Sequence, residues 1–268
     1  MSGGRVARWL IGLVVIGLLA IAGVAAYKSR LGPAVPMDDV RVLVALTTVQ
    51  DDGSRAADLV GYATLVPGRG AIDLVLVPGT MRVDVPGVTD DRLRDVYAYG
   101  GAKVLAQAFS DAAGVPVDAA LAVDEPALIK VLGRAGPLRL RLAQDVAVFR
   151  QDRYEVFPSG DLSLEPTQVA DVVAAAGLAE PPGEDMTLQA ALVTATAGLL
   201  AGGPAGRDLV GGAETSGDRE VLARLGELAG AAGWPRIEVS AAAGTATEEA
   251  GRRYFTPRAG FLGERRAR

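Results

Sequence analysis

"AADLVGYATLVPGRGAIDLVLVPG", residues 56–79, holds two Val- and Leu-rich runs separated by proline and glycine. Each run is too short for an amphipathic helix and is bounded by turn residues, so strands are expected at about 57–66 and 71–77. Gly68-Arg69-Gly70 falls at the turn between them. So short a connection makes the two strands neighbours in one sheet. The next run, "LVPGTMRVDVPG" at 76–87, is broken at Pro78-Gly79 and closed at Pro86-Gly87.

Further strands are read at about 42–47 ("RVLVALTT") and 118–123 ("DAALAV"), and "LRLRL" at 138–142 alternates strictly, which buries one face and wets the other. Helices alternate with them. Lys103 to Ala113 carries Val104, Leu105, Ala108, Phe109 and Ala112 on one stripe and stops at Gly114, a residue that readily takes the left-handed closing turn. Asp124-Glu125-Pro126 opens another, with a capping carboxylate and a proline in the first turn. Two more helices are expected at about 166–176 and 187–200. The alternation predicts an α/β protein, a sheet with helices on both faces.

Composition narrows the chemistry. The chain has 268 residues, is 50% hydrophobic, carries a formal net charge of -5 and has neither cysteine nor histidine. Disulfides, thiolate nucleophiles, the usual zinc sites and a histidine base are thereby excluded. The charge does not suit a nucleic-acid partner. Any chemistry falls to carboxylates, Arg, Lys, Ser, Thr or Tyr.

Residues 1–30 form a separate object. "WLIGLVVIGLLAIAGVAAY" runs 19 residues without a charge, close to the ~20 that a helix needs to cross hydrocarbon and longer than the apolar region of most cleaved signals. A membrane anchor is expected, with a cleaved signal peptide ending near Val24-Ala25-Ala26 as the alternative. Either one exports the remainder of the chain. Lys and Arg are nearly balanced across the span, so charge alone does not orient it. The organisation expected is an anchor (1–30), a linker (31–40), a main domain (41–205), a small α/β carboxy-terminal unit (206–250) and a basic disordered tail (251–268). In the small unit a helix capped by Asp218 is followed by a strand at 236–240.

Read in order, "AYGG" (98–101), "GVPVD" (114–118), "VDEPALIKVLGRAG" (123–136) and "PSGDLSLEPTQV" (158–169) come after the opening hairpin. This succession, over about residues 42–200, resembles the extracytoplasmic domain of the LytR–CpsA–Psr family, and the carboxy-terminal unit is similar to the small domain appended to many LytR-type proteins. The resemblance implies a single-pass protein of the bacterial cytoplasmic membrane with its main domain outside. It also implies transfer of a cell-wall polymer from a polyprenyl-pyrophosphate carrier to peptidoglycan, with the lipid in an apolar tunnel, arginines on the pyrophosphate, and an aspartate helping to hold Mg2+ or Mn2+. Guanidinium forks and a metal would neutralise charge growing on phosphate oxygens.

The sequence departs from the family at those places. Where the family has Pro-Arg-Asp-Thr, this chain has Pro78, Gly79, Thr80 and Met81, and the two arginines of the later helix fall on Ala174 and Ala176. Of the Arg-Ser-Asp-like triplet, Asp58 remains in place and Arg55 is displaced by two positions. Asp58 is the candidate metal and catalytic residue, Arg55 the candidate phosphate ligand, and Arg82 a candidate replacement for the lost clamp. A regular strand would aim Arg82 away from the face of Gly79. Asp51 and Asp52, beside Gly53, read as turn residues rather than a metal cluster. These losses favour an envelope protein that binds a polyprenyl-phosphate-linked glycopolymer with catalysis lost or impaired. An active phosphotransferase with a rearranged charge set, and a non-catalytic scaffold, are the alternatives.

Overall fold

The computed structural model describes residues 40–65, 71–85, 88–150, 152–178, 184–200, 212–218, 221, 236–258, 260 and 262. The uncharged span at 9–27 and the Gly68-Arg69-Gly70 turn lie outside them. Among the described residues no helix is long and apolar enough to cross a membrane.

The two runs of the 56–79 stretch pair as expected. Strands β1 (Val40–Val49), β2 (Arg55–Leu65) and β3 (Ala71–Val77) are joined antiparallel, β1 to β2 and β2 to β3. Strand β4 (Arg82–Val85) pairs with β5 (Val88–Arg92), and helix α1 (Leu93–Ala113) comes next. Strand β6 (Ala119–Asp124) leads into α2 (Glu125–Ala135), whose first turn is capped by Asp124 accepting from the Ala127 N–H at 2.9 Å. After it come β7 (Leu138–Leu142), β8 (Val146–Arg150), β9 (Arg153–Phe157) and β10 (Gly160–Leu164), then α3 (Pro166–Leu178) and α4 (Glu184–Leu200). The described chain continues in β11 (Glu214–Gly217), β12 (Arg236–Ala241), β13 (Gly244–Glu249) and β14 (Arg252–Pro257).

The main sheet has six strands in the order β11-β6-β1-β2-β3-β12. β1, β3, β6 and β12 run one way, β2 and β11 the other. One face buries Leu43, Val60, Tyr62 and Val77 against Leu93, Val96, Leu105 and Phe109 of α1. The other buries Val44, Leu59, Leu74 and Leu121 against α2, α3 and α4 through Leu128, Val131, Val172, Val173 and Leu192. The architecture is therefore a sheet covered by helices on both sides. Apolar residues removed from water on both faces supply its main driving force. β7 buries alternate residues, as its pattern requires.

Three expectations need revision. The helix expected from Lys103 is present, but an unanticipated helical segment precedes it from Leu93, and the Gly100-Gly101 pair, non-helical in its backbone, separates the two. Gly101 takes φ 64°, and a Cβ there would collide with Oε1 of Glu214. That closeness lets the Glu214 carboxylate accept from the Ala102 N–H (2.7 Å) and from the Tyr97 hydroxyl (2.6 Å), capping the second half of the helix. Burial and then the Glu214 carboxylate push the Tyr97 hydroxyl up to about 12.

The strand expected at 236–240 is present as β12, but it is an edge strand of the main sheet, parallel to β3. Asp218 accepts from the Val221 N–H at 3.2 Å, as a helix cap does, while residues 222–235 lie outside those described. The basic tail is ordered further than its charge suggested. β14 runs to Pro257 because Tyr254 and Phe255, set among its arginines, are buried, and the Phe255 N–H donates to the Thr80 carbonyl at 2.8 Å.

Candidate functional site beside a buried aspartate

Four parallel strands end on one edge of the sheet, the edge at which α/β proteins ordinarily place ligands. β1 finishes there with Thr47, Thr48 and Val49, and β2 begins there. The register between these strands slips: Leu46 faces Leu59 and Thr47 faces Ala57, leaving Asp58 as the extra residue of a bulge. A bulge redirects its side chain out of simple alternation. Asp58 is accordingly 0% exposed, yet aimed at polar partners.

Those partners fill both of its oxygens. Oδ1 accepts from Nε of Arg94 at 3.1 Å and from Nη2 of the same guanidinium. Oδ2 accepts from the Thr48 hydroxyl and from Nε2 of Gln50 at 3.3 Å. Gln50 in turn donates to Thr48 (3.0 Å) and accepts from Nη2 of Arg94 (3.2 Å). Burial raises the Asp58 carboxyl above its ordinary value, opposed by the Arg94 charge and then by the Thr48 hydrogen bond.

Arg94 is the residue that motif matching passed over. It sits in the first turn of α1, where a positive charge opposes the helix dipole, and only 3% of it is exposed. Its own N–H donates to the Gly79 carbonyl at 2.9 Å. A Cβ added at Gly79 would meet Cβ of Arg94 at 3.1 Å and Cδ at 3.5 Å. Glycine at position 79 thus gives the Arg94 stem its room.

A second arginine closes the same edge. Arg150 falls on the buried face of β8 and donates Nη2 to the Val49 carbonyl (2.9 Å) and to Glu125, and Nη1 to Glu125 (3.1 Å) and Asp171 (3.3 Å). Burial works against its charge, but Glu125 and then Asp171 more than reverse this, and its pKa is raised. Asp171 also pairs with Arg153 at 3.0 Å.

The predicted residues are dispersed around this core. Arg55 pairs with Asp124 at 3.5 Å. Arg82 is engaged elsewhere, paired with Glu249 at 2.6 Å and stacked 4.3 Å from the Tyr254 ring centre. Asp52 accepts from the Ser54 N–H in the exposed turn after β1, in keeping with its reading as turn chemistry.

A cavity of about 610 Å3 opens beside the cluster. Its walls come from Leu142 to Arg150 on one side and from Ala174, Ala175, Leu188 and Ala191 on the other, and it reaches Val49 and Gln50 at the end of β1. Gln50 therefore joins the cavity to the Asp58 network. Ala174, one of the positions aligned with a family arginine, lies on the cavity wall, while Ala176 is buried in the core.

The divalent cation implied by the resemblance does not fit. Mg2+ requires oxygen ligands at about 2.0–2.1 Å in near-octahedral array, and four donors already occupy the roughly four lone-pair sites of the Asp58 carboxylate. Among the described residues no three acidic side chains are grouped to hold a metal ion.

Solved structures carry the same architecture. Bacillus subtilis TagV superposes with a TM-score of 0.61 at 17% identity, covering 84% of this chain and 94% of that one. TagT bound to LIIa-WTA gives 0.56 at 15%, covering 87% and 90%. Bacillus subtilis TagU gives 0.52 at 18%, covering 83% and 91%. The chain has a LytR–CpsA–Psr-like fold. No family model and no curated protein matches its sequence.

Proposed function

We propose that this chain is an envelope protein, anchored by its amino-terminal span with its main domain outside the bacterial cytoplasmic membrane, that binds a polyprenyl-phosphate-linked cell-wall glycopolymer and transfers it poorly or not at all. The fold supports an envelope role by its likeness to TagT, which is solved with LIIa-WTA bound. The uncharged span at 9–27 supports the anchor.

One observation carries the functional reading: a cavity whose walls are mainly apolar, with Arg141, Gln144, Asp145 and Thr187 also lining it, ends at a charge cluster paired within the protein. Arg55, Arg94, Arg150 and Arg153 face Asp124, Asp58, Glu125 and Asp171, four guanidinium groups against four carboxylates. A pyrophosphate clamp needs guanidinium forks aimed at the ligand. Here Arg94 and Arg150 are committed to buried carboxylates, while Arg55 and Arg153 pair with about half of each side chain exposed and Arg141 on the cavity wall pairs with exposed Asp161 at 3.8 Å. The cavity offers burial to an isoprenoid chain at about 0.8 kcal/mol per methylene.

The full chain in detergent micelles, titrated with a polyprenyl monophosphate, is expected to bind it saturably and to bind the matching prenyl alcohol nearly as well, since the tail supplies most of the affinity. Absence of binding to both would leave the scaffold reading in its place.

A further inference from the structure

We infer that Arg94 is a built-in counter-cation that stands where a divalent ion would otherwise serve Asp58, so that this site is closed to metal by its own sequence. Three observations converge on it. Arg94 gives two nitrogens to Oδ1, Thr48 and Gln50 cover Oδ2, and both members of the ion pair are buried. Gly79 is the enabling residue, because any side chain there would press on the Arg94 stem within 3.1 Å. Gln50 then bridges the pair, donating Nε2 to Oδ2 of Asp58 at 3.3 Å and accepting from Nη2 of Arg94 at 3.2 Å.

The exchange has a chemical consequence. A metal ion accepts further ligands and can share a phosphate oxygen with a carboxylate; a buried guanidinium whose Nε and Nη2 are held by Asp58 and Gln50 and whose Nη1 lies 3.9 Å from Asp95 does not. The position therefore changes from one that recruits a ligand into one that neutralises a buried charge. The vacated arginine and the excluded metal become one substitution, in which glycine at 79 admits arginine at 94 and arginine at 94 shuts out the cation.

Mn2+ binding to the full chain, measured by the loss of free-ion EPR signal, tests this without lipid or polymer and so independently of the proposed ligand. Wild type and Asp58→Asn are expected to give the same binding curve. Arg94→Met is expected to acquire a Mn2+ site at least tenfold tighter than anything in wild type, lost again in Arg94→Met/Asp58→Asn. Wild-type binding that Asp58→Asn weakens tenfold would overturn the inference, as would a folded Arg94→Met that gains no site. Should Arg94→Met fail to fold, the wild-type and Asp58→Asn comparison decides alone.

Discussion

Replacing Arg94 with alanine is expected to destabilise the protein by about 3–5 kcal/mol, the range for breaking a buried ion pair from one side. Asp58 would keep its hydrogen bonds from Thr48 and Gln50 but lose the charge that offsets its burial. The cost arises from the stranded carboxylate more than from the lost contact, and the double replacement separates the two. Asp58→Leu with Arg94→Met removes both charges at similar volume, and such exchanges are often neutral or stabilising. Urea denaturation of wild type, Arg94→Ala and the double variant should therefore place the double variant much closer to wild type. If Arg94→Ala costs less than about 1 kcal/mol, the scale of an exposed pair, the pair does not hold this edge of the sheet together.

Filling the cavity should weaken lipid binding about 100-fold while leaving the fold intact. Ala191 lies on the cavity wall and is only partly buried, so a tryptophan there can enter the open space without overpacking the core. If the indole excludes three or four methylenes of the isoprenoid chain, about 3 kcal/mol is lost, on the order of a 100-fold rise in Kd. A melting temperature near that of wild type would show that the loss comes from occupied space. Unchanged affinity in Ala191→Trp would place the ligand elsewhere on the protein.

What could be seen in the sequence divides along physical lines. The β2–β3 hairpin was legible because two apolar runs and a glycine-rich turn are local signals, and the Asp124 cap of α2 because capping acts within one turn. Asp58 was found through motif order, but its burial was not, since the bulge that aims it arises from pairing with β1. Arg94 lies 36 residues from Asp58 in the chain. Its one local trace, a cation in the first turn of a helix, could be read only once a helical segment was known to start at Leu93, ahead of the one expected from Lys103. Arg150 left a comparable trace. Alternation puts it on the same side of β8 as buried Val148, which calls for a partner that only the fold reveals. β12 was correctly read as a strand, yet which sheet it joins depends on a pairing more than 160 residues distant in sequence, Arg236 with Ala71.

If the arginines at this edge serve the protein and not a pyrophosphate, transfer is expected to be slow or absent. The decisive experiment is a transfer assay: the full chain, a polyprenyl-pyrophosphate-linked glycopolymer, a peptidoglycan acceptor, and Mg2+ or Mn2+ present, with coupled product measured. Losing even one preorganised donor to a developing charge typically lowers turnover about 100- to 1000-fold, and on the register proposed from the sequence two or three such positions read as Gly79, Ala174 and Ala176. Lipid binding with no product above the protein-free control is expected. Robust turnover that disappears in Asp58→Ala or Arg82→Ala would refute this and establish an active transferase with a rearranged site.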